Sequence, residues 1–223
     1  MKILIIGAHA DDPEVSMGGT IAKFVQNKNE VKIIVAIIPC EDIHGIPSEE
    51  RKSERWKACE DSAGILGAEL EVLDLDPYQM WFKRDIVKLL DEKIREFSPN
   101  IIYTNWNHDS HQDHVTIANA TFAATRKNNV SLLMYEQLTL GGLTPYAFHG
   151  QAFVDISDTM EIKMKSVRAY QSQIQQHGRW LEAIEGLATF RGQRIGVKYA
   201  EAFQVVRLLL DIKQDNCKIN GFW

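Results

Sequence analysis

Cysteine is scarce: Cys40, Cys59 and Cys217 are the three in 223 residues. An odd number, wide spacing and no CxxC pair exclude a disulfide framework and a thiolate metal site, and they fit reduced thiols in a cytoplasmic protein. Long apolar runs are also missing. None approaches the ~20 residues needed to span a bilayer, and no basic region followed by an apolar one opens the chain, so neither a membrane span nor a signal peptide is expected. Positive charge is in deficit, with 25 Lys and Arg against 30 Asp and Glu for a net charge of −5. That balance argues against a nucleic-acid partner or an anionic membrane surface, both of which require a basic face. No internal repeat, low-complexity tract or linker divides the chain, so residues 1–223 are expected to form one domain with a sizeable core.

The hydrophobic pattern alternates between two periods. "KILII" at 2–6 reads as a parallel strand covered on both faces. A helix is expected over 17–27, capped by Ser16 and burying Ile21, Ala22, Phe24 and Val25. Strands follow at 31–38, 70–75, 100–106 and 130–136, and helices at 49–66 (stopped by Gly67), 84–97 (stopped by Pro99) and 114–127. The tail adds strand 152–157, helix 158–173 and strand 202–210. This alternation predicts an α/β fold, a Rossmann-like three-layer sandwich with a mostly parallel central sheet and C-terminal strand and helix additions.

Chemistry gathers at two places. "HADDPE" at 9–14 lies just past the first strand, and "NHDSHQDH" at 107–114 just past the fourth. In open α/β sheets ligands bind beyond the carboxyl ends of the strands, so both clusters belong on one rim. Carboxylates this close repel one another unless something positive sits among them, and His with Asp is a common catalytic zinc donor set. Either cluster alone would be an ordinary turn or helix cap. Together they point to a metal site.

These residues resemble the PIG-L/LmbE-type zinc N-deacetylases, whose motifs have the forms A-H-P-D-D-x-E and H-P-D-H. Here they stand as Ala8-His9-Ala10-Asp11-Asp12-Pro13-Glu14 and His111-Gln112-Asp113-His114. The resemblance continues through "GGTIAK", "RWKACEDSAGILG" and "FVDISDTMEIKMKSVRAYQSQ" to "GVKYAEAF". Ala10 and Gln112 depart from the usual prolines at positions that supply no ligand. The resemblance implies zinc, or another divalent metal, on His9, Asp12 and His114. It implies Asp11 as general base, His111 as the oxyanion-stabilising histidine, and Asp113 as the carboxylate that orients His111 and raises its pKa. It further implies hydrolysis of an N-acetyl group on an N-acetylglucosamine-type amino sugar or conjugate, and a homo-oligomer, trimer or hexamer.

Arg55 aligns with a family arginine implicated in substrate contact, and a solvated helix face is the equal alternative. His108 reads as a loop residue rather than a ligand. Glu14 either backs the ligands or favours the following helix N-terminus. Glu201 and Ser172-Gln173 match the family pattern without an evident mechanism, and Trp81-Phe82 read as core in preference to a sugar platform. The stretch 137–150 could wall the substrate site or meet a second subunit, and His44, His149 and His177 have no partner visible in the sequence. Two other functions compete. A metal-dependent phosphoesterase would favour two metals and more cationic residues. A non-catalytic Rossmann-like ligand-binding protein is disfavoured by the absence of G-x-G-x-x-G and by Asp11 and Asp12 where a pyrophosphate would sit.

Overall fold

A computed structural model describes residues 1–41, 46–138, 144–213 and 216–219, with backbone alone for 211–213 and 216–219. The strands are β1 (Lys2–His9), β2 (Glu30–Ile37), β3 (Glu69–Val72), β4 (Ile101–Thr104), β5 (Ser131–Tyr135), β6 (Ala152–Asp155), β7 (Ala200–Arg207), β8 (Leu210–Lys213) and β9 (Asn216–Ile219). The helices are α1 (Asp12–Gln26), α2 (Glu49–Leu66), α3 (Arg84–Phe97), α4 (Gln112–Thr125), α5 (Met160–Val167), α6 (Gln171–Gln176) and α7 (Trp180–Ile195). Seven strands form one sheet in the order β3-β2-β1-β4-β5-β7-β6. The first five are parallel, and β7 and β6 close one edge by antiparallel pairing.

Alternation along β1 explains the three layers. Ile3 and Ile5 enter one core with residues of α1, α2, α5 and α7, whereas Leu4, Ile6 and Ala8 enter a second core with α3 and α4. Ile3 to Ile6 are fully buried, and each such side chain contributes about 1.5–3 kcal/mol on leaving water. Strand order reverses between β1 and β4, which lie side by side and in register from Ile3 and Ile101 onwards. Their carboxyl ends therefore open together at a topological switch point, the crevice where such sheets take ligands.

Several boundaries follow the sequence signals. Ser48 Oγ accepts from the Arg51 amide at the start of α2, and Gly67 closes it at φ 75°, the left-handed conformation that a glycine cap adopts without strain. Other expectations need correction. The first helix begins at Asp12, with Asp11 at its N-cap; Ser16 lies inside it, one residue before a non-helical break at Met17. The expected helix 158–173 is two helices, because the chain breaks before Tyr170 and buries that ring completely. The expected final strand is β7 plus β8, the latter pairing only with β9. Helix α7 was not anticipated. Trp81 and Phe82 are exposed, not core. His44 and the 139–143 part of the stretch 137–150 lie outside the described residues, as does the Cys217 side chain; Cys40 and Cys59 are free thiols. Among the described residues no helix is long and apolar enough to cross a membrane.

Candidate metal centre

The site is assembled where β1 turns into α1 and β4 into α4. Between His9 and the first turn of α1 the chain reverses over two residues, and Asp11 adopts φ 98°. A non-glycine residue there costs about 1–3 kcal/mol and persists only when its surroundings hold it. The Asp11 carbonyl accepts from the Val15 amide at 2.9 Å, while its carboxylate makes no capping bond and lines the cavity. Asp12 follows with a carboxylate 3% exposed. Its Oδ2 accepts from the His9 backbone amide (2.9 Å) and from Asn105 Nδ2 (3.0 Å). Its Oδ1 accepts from Gln137 Nε2 (2.8 Å).

Two imidazole nitrogens converge on this carboxylate, making three lone-pair donors in all. His9 Nδ1 and His114 Nε2 are 3.1 Å apart. Asp12 Oδ1 is 3.2 Å from His114 Nε2, and Asp12 Oδ2 is 3.7 Å from His9 Nδ1. Donors held tetrahedrally around one zinc at ordinary bond lengths lie roughly 3.3 Å from one another, so these residues fit that group. The far side of each imidazole meets a carboxylate: His9 Nε2 lies 3.0 Å from Asp113 Oδ2, and His114 Nδ1 lies 3.1 Å from Asp109 Oδ2. Metal-bound histidines are commonly oriented by such carboxylates. His9, His111 and His114 also form a group that could hold a metal ion, with donor atoms within 4.8 Å of one another. That spread is wider than the edges of the set containing Asp12.

His111 caps α4, its Nδ1 accepting from the Asp113 amide at 3.2 Å. A nitrogen that accepts carries no proton, so the neutral ring holds its proton on Nε2. Asp113 Oδ2 is 3.9 Å from His111 Nδ1, farther than from His9. Burial, helped by the neighbouring His9 and His114, lowers the His111 pKa. Asp113 thus stands nearer His9 than His111, and although it acts to raise the His111 pKa, the net shift is downward.

The other groups are sharply divided. Burial, reinforced by Asp12 and Glu14, raises Asp11 well above the carboxylate range. Burial acts the same way on Asp12, but His114 and His9 outweigh it and the net shift is downward. For His114 burial is outweighed by Asp12 and Asp109, which lift it to about 10. Glu14 is fully buried, pushed up to about 7 chiefly by that burial, and accepts from Tyr170 Oη at 3.0 Å.

A cavity of about 610 Å3 opens over this cluster. His9, Asp11, Asp12, Arg55, His111, Asp113 and His114 all line it, so the structure brings every site residue expected from the sequence to one place. Arg55 is buried, and its Nε has no hydrogen-bond partner among the described residues. Gln137, Gln173, His177 and Trp180 complete the wall. His108 instead packs against the rings of Trp106 and Tyr146. Gln137 and Leu138 open the stretch 137–150, and both line the cavity, as a substrate wall would. Asp109 and Asn105 were missed: Asp109 lies inside "NHDSHQDH" and was legible there, whereas Asn105 gains meaning only from the Asp12 carboxylate the fold brings to it.

Comparison with known proteins adds a family and a fold. A family model described as "PIG-L: GlcNAc-PI de-N-acetylase" matches residues 4–125. The diacetylchitobiose deacetylase of Thermococcus kodakarensis is 27% identical over 230 residues, spanning 92% of this chain and 83% of that protein. Among solved structures, the N,N'-diacetylchitobiose deacetylase of Pyrococcus horikoshii superposes with a TM-score of 0.77 at 23% identity, covering 92% of this chain and 83% of its own. The 4-carboxy-2-hydroxymuconate hydratase of Pseudomonas putida superposes with a TM-score of 0.80 at 17% identity, covering 95% and 98%. At these identities structural likeness establishes the fold and leaves the reaction to the site.

Proposed function

Because the chain belongs to the PIG-L (GlcNAc-PI de-N-acetylase) family, we propose that it removes the acetyl group from the nitrogen of an N-acetylglucosamine-type amino sugar or its conjugate. His9, Asp12 and His114 would hold a divalent cation, zinc in the first instance. The observation that carries this reading is the convergence of their donor atoms at separations of 3.1, 3.2 and 3.7 Å beside a carboxylate, Asp11, that is not among them. A zinc ion bound there lowers the pKa of a coordinated water towards neutrality and polarises a carbonyl oxygen.

Asp11 takes a proton from the attacking water and returns it to the amine nitrogen as the C–N bond breaks, leaving acetate and a free amine. Its carboxylate lines the cavity beside the donor set and makes no capping bond, which leaves it free for both halves of that transfer. The neutral His111 imidazole can donate from Nε2 to the oxyanion that grows on the acetyl carbonyl. Arg55, a guanidinium in the cavity wall whose Nε has no partner among the described residues, suits hydroxyls or a phosphate on the sugar. It is also the one Lys or Arg among the described lining residues, which disfavours phosphate-ester hydrolysis as the main reaction.

The test is an acetate-release screen over free, lipid-linked, thiol-linked and nucleotide-linked N-acetyl amino sugars, repeated with Asp11→Asn. Acetate should appear with at least one class, and kcat should fall by about 100-fold or more in the variant while zinc stays bound. Phosphate release from sugar phosphates without acetate, or near-normal turnover in Asp11→Asn, would overturn the assignment.

A further inference from the structure

We propose that Glu201 is a positioning residue for this site, a carboxylate that caps the second half of α1 and thereby holds the turn bearing Asp11 and Asp12. The inference rests on the metal site proposed above. Helix α1 is two segments joined at Met17, where φ −144° and ψ 22° break the helical path. In an unbroken helix the amides of Gly19 and Thr20 would point at the carbonyls of Val15 and Ser16. Here both meet one buried carboxylate on β7: Glu201 Oε1 accepts from the Gly19 amide at 3.0 Å and Oε2 from the Thr20 amide at 2.7 Å. A helix N-terminus supplied with an anion from another strand is stabilised as by an N-cap, with the charge at the favourable end of the dipole.

That charge is balanced from a third element. Lys163 Nζ on α5 lies 2.5 Å from Glu201 Oε1, with side chains 3% and 2% exposed. Helix α5 reaches this position because Gly18 presents no side chain to it: a Cβ there would sit 3.2 Å from Lys163 Cγ. Thr159 Oγ1 donates to the Gly19 carbonyl at 2.9 Å, pinning the same residue from the other side. The break at Met17 is thus held by β7 and α5 together.

Its consequence reaches Asp12 through one short turn. Ser16, immediately before the break, donates to Gln137 Oε1 at 3.1 Å, and Gln137 in turn donates to Asp12 Oδ1. Glu14 in the same turn is tied to Tyr170. With the cap in place the turn Asp12–Ser16 is offset from the rest of α1 and fits between β1, Asn105 and Gln137. Without it, the Gly19 and Thr20 amides are best satisfied by restoring the helical bonds to Val15 and Ser16, which draws the turn away from His9 and His114.

Glu201→Gln tests this, because an amide of the same size keeps one acceptor and turns an NH2 group either on the Thr20 amide or on the Gly19 amide and Lys163, so one of the two caps is lost along with the charge. In folded variant, competition with a chelator should show zinc binding weakened about tenfold or more, the usual effect of losing outer support of a ligand. The value of kcat should fall by a similar factor with KM within about twofold of wild type. In metal-free protein, exchange of the Gly19 and Thr20 amides should accelerate, and the Gln137 side-chain amide resonances should move. A purely structural role would lower the melting temperature and leave zinc affinity, kcat and the Gln137 resonances unchanged, and that result overturns the inference. If Glu201→Gln does not fold, Glu201→Asp, which keeps the charge but is one methylene too short to reach both amides, carries the same readouts and the same criteria. Wild-type protein that binds no zinc would defeat the metal site itself. The Gln137 resonances of the metal-free variant then decide the positioning role alone, a shift supporting it and constancy overturning it.

Discussion

Asp11 and Asp12 are neighbours in the chain with opposite electrostatic fates. Burial raises the first, and two imidazoles lower the second. A pair of carboxylates whose environments drive them apart suits a division between proton carrier and ligand. Glu14, in the same turn, is fully buried and provides a test of this electrostatic picture. Burial sets its folded pKa at about 7, above the ~4.3 of an unfolded chain. A carboxyl with a raised folded pKa supports the fold fully below its unfolded value, and that support is lost as pH rises through the folded one. In metal-free protein Glu14 therefore removes about 3 kcal/mol of stability between pH ~4.5 and pH ~8. Glu14→Gln keeps an acceptor for Tyr170 and abolishes the titration. Denaturant unfolding at pH 5 and pH 8 should show the variant's advantage over wild type growing by about that amount. A difference that stays constant with pH would contradict the burial of an ionisable Glu14.

Helix α1 is the element on which the site depends, and it illustrates what the sequence reveals and what it conceals. Gly19 allows α1 to lie against the segment leading into α5; a Cβ there would stand 2.8–2.9 Å from three atoms of Ile156. Overpacking of this kind costs about 1–3 kcal/mol, more than the ~1 kcal/mol that alanine gains in helix propensity. Gly19→Ala should lower the melting temperature by several degrees in thermal unfolding, whereas an unchanged or higher value would show that Ile156 yields freely. The start of α1 differs from the expected one because its first turn is polar and buried, so hydrophobic periodicity does not announce it; its signals are local ones, Asp11 at the N-cap, Pro13 in the first turn and Glu14 three residues after the cap. Helices α2 and α3 announce themselves through Ser48, Gly67 and a stop before Pro99, and their bounds were legible. Helix α7 was not, because its buried stripe of Trp180, Ile184, Ala188 and Gly192 contains two residues too small to read as hydrophobic.

At the scale of the whole molecule, five parallel strands and their crossovers carry two clusters, about a hundred residues apart in sequence, to adjacent strand ends. Hydrophobic periodicity and the rule for ligand sites in open sheets sufficed to read that convergence, whereas the choice of individual residues, Arg55 above all, came from the family resemblance. The pairing of side chains was not readable. Asp113 meets His9, Asp109 meets His114, and Asn105 and Gln137 meet Asp12, contacts that depend on how β4 and β5 stand against β1. The antiparallel edge of β7 and β6 contributes Glu201, whose place in the sequence gave no sign of the helix it caps. Most directly decisive is a crystal of zinc-loaded protein measured on both sides of the zinc absorption edge. The account predicts one anomalous peak per chain, bonded to His9 Nδ1, His114 Nε2 and a carboxylate oxygen of Asp12, with Asp11 outside the coordination sphere. No peak in this cavity, or one held by His111 in place of Asp12, would contradict it.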